Sequence, residues 1–141
     1  MGKYVWNGKE LIERSQAVVD IEDRGHIFGD GIYEVFRVYG GKLFEPELHW
    51  MRFARSAKEI RLAMPAETEE LHRGVEELIR ADELTEGIVY LQLTRGTAPR
   101  AHPFPGADTP PALMAFTKTL PRPLAAMEAG VAAITRPDIR W

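Results

Sequence analysis

Apolar and polar positions alternate over Ile32–Val38, so Tyr33, Val35 and Arg37 face one side of a predicted strand and Ile32, Glu34, Phe36 and Val38 the other. Gly40-Gly41 then turns the chain into Lys42-Leu43-Phe44, which predicts a hairpin. An earlier hairpin is predicted across "KYVWNGKELIE", with Asn7-Gly8 as a type I′ turn. From Pro46 the period changes. Trp50, Phe53, Ala54, Ala57 and Ile60 recur at helical spacing as far as Arg61, and Pro46 suits the first turn. A second helix is predicted with Thr68 as its cap and Leu71, Val75, Leu78 and Ile79 as its buried stripe. Ile88–Thr94 is an almost continuous β-prone run, as expected of an interior strand, and Leu113–Lys118 is another strand.

These elements predict an α+β fold over residues 1–120, an antiparallel sheet with two helices. The texture changes at Leu120. Pro121 and Pro123 mark residues 121–130 as a connector, and residues 131–141, "VAAITRPDIRW", are expected to be the first strand of a truncated second domain.

Composition narrows the function. The 141 residues are 45% hydrophobic and 28% charged, enough apolar material for a core. A net charge of −3 argues against a nucleic-acid or anionic-membrane partner, either of which wants a basic face. The absence of cysteine excludes disulfides and thiolate chemistry. No run approaches a membrane span and the N-terminus lacks a signal-peptide apolar core, so a cytoplasmic protein is expected.

Three places could carry chemistry. The long loop "RGTAPRAHPFPGADTPP" holds Arg95, Arg100 and His102 with no acidic residue between Arg95 and Pro105. Such a cluster suits a carboxylate or phosphate, or its cations pair with acidic residues elsewhere; the spacing leaves both open. Arg52 follows His49 by one helical turn, an arrangement read most simply as a surface salt bridge. Tyr33 follows Gly29-Asp30-Gly31, where backbone can approach a ligand closely, and Val35 would wall any pocket above it. The glycines form no phosphate loop, and His26, His49, His72 and His102 have no metal-ligand spacing.

Taken in order, "RGHIFGDGIYEVFRVYGGKLF", "HWMRF" and "TRGTAPRAH" resemble the fold-type IV pyridoxal-phosphate aminotransferases, most closely the D-amino acid branch. Val35 stands after Glu34 where the branched-chain branch usually has glycine, and "RAH" marks the D-amino acid subfamily. The resemblance spans essentially the whole chain. It implies that Arg52 binds the phosphate of pyridoxal 5'-phosphate, and that Tyr33, Arg100 and His102 form a trap for the substrate carboxylate. Val35 would line the side-chain pocket, and Arg24, Gly25, Phe28, Gly29 and Gly31 would shape the site. It further implies a homodimer in which Arg100 and His102 reach into the neighbouring subunit's site. Phe53 departs from the family, which more often has leucine after the arginine of that helix motif.

In that family the Schiff-base lysine lies in the second domain, beyond the segment similar to "DIRW". Lys3, Lys9, Lys42, Lys58 and Lys118 do not occupy that place. The chain is therefore expected to be the N-terminal half of an enzyme that exchanges amino groups between D-amino acids, D-alanine in particular, and 2-oxo acids. It is expected to hold no catalytic residue of its own and to be inactive alone. Alternatives are a branched-chain L-amino acid aminotransferase or an aminodeoxychorismate lyase of the same fold. A non-catalytic module that keeps the fold, or an anion-binding domain using the cationic loop, are alternatives of another class.

Overall fold

The computed structural model describes residues 1–139. The elements are β1 (Tyr4–Trp6), β2 (Leu11–Glu13), a 3-10 turn (Arg14–Gln16), α1 (Arg24–Phe28), β3 (Gly31–Tyr39), β4 (Lys42–Leu43), α2 (Pro46–Glu59), α3 (Thr68–Ala81), β5 (Glu86–Thr94), β6 (Ala112–Thr119) and α4 (Leu124–Ala129). The strands form one antiparallel sheet in the order β2-β1-β6-β5-β3-β4. The class predicted from the alternating patterns, α+β with an antiparallel sheet, is the class observed.

The period-two pattern decides which face is covered. Glu34, Phe36 and Val38 are buried on β3, and Val89, Leu91 and Leu93 continue the row on β5. Helices α2 and α3 cover this face with Trp50, Phe53, Leu71, Val75, Leu78 and Ile79. Each such side chain, fully buried, contributes about 1.5–3 kcal/mol of transfer free energy. Phe53, the departure in the helix motif, is 1% exposed and meets Trp50 edge-on at 5.9 Å, so it is a core residue. The opposite face has no such cover. There β3 pairs with β5 so that Tyr33 opposes Gln92 and Val35 opposes Tyr90, while Tyr90 opposes Phe116 of β6.

Several expectations need correction. The first hairpin has no two-residue turn. Trp6 pairs with Leu11 across four loop residues, and Asn7 Oδ1 accepts from the backbone N–H groups of Lys9 and Glu10 at 3.0 and 2.9 Å, an Asx-type closure. The second hairpin is a true two-residue turn, with Gly40 and Gly41 both at positive φ, 54° and 77°. Thr68 is the first residue of α3 and not its cap; Glu67 stands at the cap without a side-chain hydrogen bond.

Two short helices accompany the two predicted ones. The segment ahead of β3 forms α1, because Asp23 caps it. The predicted connector contains α4, built wholly of leucine, alanine, methionine and glutamate, all good helix formers. Residues 131–139 form no strand; a strand needs a neighbour to take its backbone hydrogen bonds, and none stands beside it among the described residues. The last two residues of that predicted strand lie outside the described residues.

Candidate active site

The site begins where α1 meets β3. Asp23 Oδ1 accepts from the backbone N–H of Gly25 at 2.8 Å, and its Oδ2 accepts from Thr94 Oγ1 at 2.7 Å. Both carboxylate oxygens are thus spent on fixing this short helix to the end of β5. Helix α1 ends at Gly29 in the left-handed conformation, φ 65°, and the chain enters β3 at Gly31. Arg24, only 4% exposed, donates from Nε to Asp30 Oδ2 at 2.8 Å. Arg95 grips the same carboxylate through Nε at 2.9 and 3.0 Å, and its terminal nitrogens donate to the backbone carbonyls of Ile60 and Arg61 at 2.8 Å. Burial opposes ionisation of Asp30, but the hydrogen bonds and charges of Arg95 and Arg24 together outweigh it, so the carboxyl titrates below its usual range.

That pairing settles the reading for one residue of the cationic loop. Arg95 is consumed by Asp30. Arg100 and His102 are exposed and both rest on Phe28, the guanidinium carbon 5.4 Å and the imidazole centroid 5.7 Å from its ring.

Tyr33 lies on the uncovered sheet face, 66% exposed, and stacks on Tyr90 at 5.6 Å and 14°. Tyr90 stacks in turn on Phe116 at 5.1 Å, and Arg14 lies over Phe116 at 5.0 Å. An aromatic row therefore crosses three strands. Tyr90 donates to Gln92 Oε1 at 3.0 Å, and burial followed by the neighbouring Tyr33 pushes its phenol above the usual value. Val35 is half-buried on this same face, one register step from Tyr33.

Arg52 belongs to a third group on the helix side. It forks onto Glu34, Nε to Oε2 at 2.8 Å and Nη2 to Oε1 at 2.6 Å, and His49 Nδ1 is 3.1 Å from the same Oε1. Glu34 is the carboxylate in an otherwise apolar row, and a charge buried there must be paired. Burial raises its pKa, but the bonds from Arg52, the backbone N–H of Val35 and His49 more than reverse this, leaving it below the usual range. Arg52 itself remains 54% exposed at the side chain. The surface salt bridge expected at His49 and Arg52 is corrected: both residues meet Glu34, an acid that is buried and sits on β3. A lone carboxylate among Ile32, Phe36 and Val38 was the signal in the sequence that β3 needed a cation from a covering helix. Asp30, shared by two arginines, had no such signal.

Three cavities flank these groups. One of about 650 Å³ is lined by Arg24, Phe28, Gly29, Asp30, Arg95 and His102 among others. One of about 160 Å³ is lined by Gly25, Gly29, Gly31, Tyr33, Tyr90 and Gln92 with Ile32. The largest, about 940 Å³, lies over β1 and β6 beside Arg14, Asp23 and His26. Tyr33 and His102 thus share the strand entrance, with Gly29 and Gly31 lining both their cavities, but they face different spaces. Arg52, Val35 and Arg100 line none of the three, and neither does any lysine. Among the described residues no group of histidines and carboxylates could hold a metal ion, and no helix is long and apolar enough to cross a membrane.

An antiparallel sheet covered on one face by two helices is the architecture this chain shares with solved fold-type IV aminotransferases. The chain belongs to the amino-transferase class IV family, whose pattern it matches over residues 31–141. It is 48% identical over 141 residues to the D-alanine aminotransferase of Staphylococcus haemolyticus, covering all of this chain and 50% of that protein. The chain spans about half the length of the curated relatives it matches. In three dimensions it superposes on a T.th. branched-chain amino acid aminotransferase complexed with N-(5'-phosphopyridoxyl)-L-glutamate, with a TM-score of 0.78. That match is 19% identical and covers 85% of this chain and 41% of the other. It also superposes on 4-amino-4-deoxychorismate lyase from Pseudomonas aeruginosa, with a TM-score of 0.71 and 25% identity, over 90% of this chain and 44% of that one.

Proposed function

We propose that this chain is the substrate-binding half of a pyridoxal-phosphate aminotransferase that acts on D-amino acids, D-alanine among them. The observation that carries this is the 48% identity to a D-alanine aminotransferase along the whole chain, against 19–25% to the branched-chain enzyme and the lyase of the same fold.

Arg52 fits the cofactor as one phosphate ligand. Its fork is locked by Glu34, which also holds its charge, and more than half of its side chain faces outward. When bound, the cofactor supplies the electron sink that makes the α-proton of an amino acid removable. Glu34 orients Arg52, and His49 supports the same carboxylate. No lysine lines any of the three cavities, so we assign the covalent lysine and the main proton transfer to residues outside this chain and expect the chain alone to be inactive.

For the substrate, Arg100 offers a planar fork and His102 an imidazole, suited to a carboxylate. Tyr33 offers a hydroxyl on the open sheet face, with Val35 beside it as a wall for the side chain. Arg100 and His102 are exposed, and His102 lines a different cavity from Tyr33. This supports a homodimer in which Arg100 and His102 of one subunit complete the trap over Tyr33 of the other.

In the complete aminotransferase that contains this sequence, Arg100→Ala is expected to lower kcat/KM for D-alanine by about 10²-fold, through the lost charge-assisted pair. Steady-state kinetics with a 2-oxo acid acceptor measure it, and unchanged kinetics in a folded variant reject the trap.

A further inference from the structure

The peptide between the two trap residues is held by a side chain outside the loop. Ala101 lies between Arg100 and His102, and its carbonyl accepts from Arg24 Nη1 at 2.8 Å. Backbone hydrogen bonds tie the loop to the domain before this point, Arg24 N–H to Gly96 O at 3.0 Å and Ala98 N–H to Glu22 O at 3.4 Å. Beyond it the loop turns on itself through Thr109 N–H to Gly106 O. Arg24 therefore fastens the stretch that carries both trap residues. It does so from a buried, fixed position, because Asp30 holds its Nε at 2.8 Å and Arg95 holds Asp30 from the other side. A second link passes through Phe28. Arg24 lies 4.7 Å from the centroid of that ring, the same ring on which Arg100 and His102 rest.

We propose that Arg24 is a positioning residue for recognition of the substrate carboxylate, setting where Arg100 and His102 point by holding the Ala101 carbonyl and the Phe28 ring. This rests on the reading of Arg100 and His102 as the trap. Arginine is required because one planar fork serves Asp30 and Ala101 O together, whereas a lysine ammonium reaches one acceptor at a time from a flexible stem. The arrangement acts on binding geometry and touches no reacting atom.

The test is a double-variant cycle in the complete aminotransferase. Arg24→Gln is expected to raise KM for D-alanine about tenfold with kcat within about threefold. Arg24→Lys, which keeps a buried cation, is expected to do the same and serves where Arg24→Gln fails to fold. Adding Arg24→Lys to the Arg100→Ala/His102→Ala variant is expected to make it no worse, because a residue acting through others adds nothing once those others are gone. Multiplying effects, or a fall in kcat with KM unchanged, overturn the proposal while the trap stands. Unchanged kcat/KM in Arg100→Ala overturns the trap and this proposal with it. A readout independent of turnover is tryptic cleavage of the Arg100–Ala101 bond in the 141-residue chain. Arg24→Lys and Asp30→Asn are both expected to speed it about tenfold relative to cleavage after Lys9, through local loosening of the loop. Equal rates in all three proteins overturn the proposal.

Discussion

Asp30 and Glu34 are the two carboxylates on which the arginines of the site converge, and each stays ionised although burial opposes it. For both, the folded pKa lies below the unfolded value. Their stabilising contribution is therefore complete above the ordinary carboxylate pKa of about 4 and is lost as pH falls through the lower folded values. The urea midpoint of the chain should be level between about pH 5 and 7 and should drop more steeply below about pH 4 than in Asp30→Asn or Glu34→Gln. Both variants start from a lower plateau. Equal acid slopes in wild type and variants would show that the arginine pairs do not govern acid stability. The same two residues explain why the site's cations differ in use. Arg95 is locked into the frame by Asp30, Arg52 is oriented by Glu34 with half its surface free, and Arg100 has an aromatic ring beneath it and open space beyond.

At the scale of elements, α3 fits against β1 because Gly74 leaves room for Trp6, whose indole carbons occupy the place a Cβ would take. Two effects of Gly74→Ala oppose each other. Helix propensity gains about 1 kcal/mol. Overpacking a filled core costs about 1–3 kcal/mol, and the obstacle is a rigid ring buried to 4% exposure. The second effect is expected to win, so Gly74→Ala should lower stability by about 1 kcal/mol or more, read from urea unfolding monitored by tryptophan fluorescence. The helix stripes and the strand alternation needed no such detail. They were legible because Phe36, Val38, Leu71, Val75 and Leu78 follow the two periods strictly and are all fully buried. The short α1 was not legible. Its sequence, Arg-Gly-His-Ile-Phe, carries no apolar stripe, and the helix exists because Asp23 caps it while bonding Thr94, a residue far along the chain.

For the whole molecule, the sheet is covered on one side and bare on the other. Tyr33 is 66% exposed on the bare face, and Leu48, Met51 and Phe44 are exposed on α2 and beside β4. An isolated 141-residue chain with this surface is expected to self-associate or to bind a hydrophobic dye such as ANS. Sedimentation velocity over about a tenfold concentration range checks this, and a single monomeric species that does not bind dye would mean that these side chains are tolerated in water.

The sequence by itself determined the fold class and the buried faces of the strands and helices, because both depend on local period, and it singled out by residue chemistry the arginines, histidine and tyrosine proposed for the site. It also carried the family, in motifs that lie on β3, α2 and the long loop. Only the tertiary structure decided which cation meets which acid: Arg95 with Asp30, Arg52 with Glu34, and Arg24 with both Asp30 and the Ala101 carbonyl. Those pairings join residues from different elements, and a one-dimensional pattern holds no distances between them. Electrostatic and hydrogen-bond energies depend steeply on distance and burial, so the roles of these arginines followed only once packing had set both.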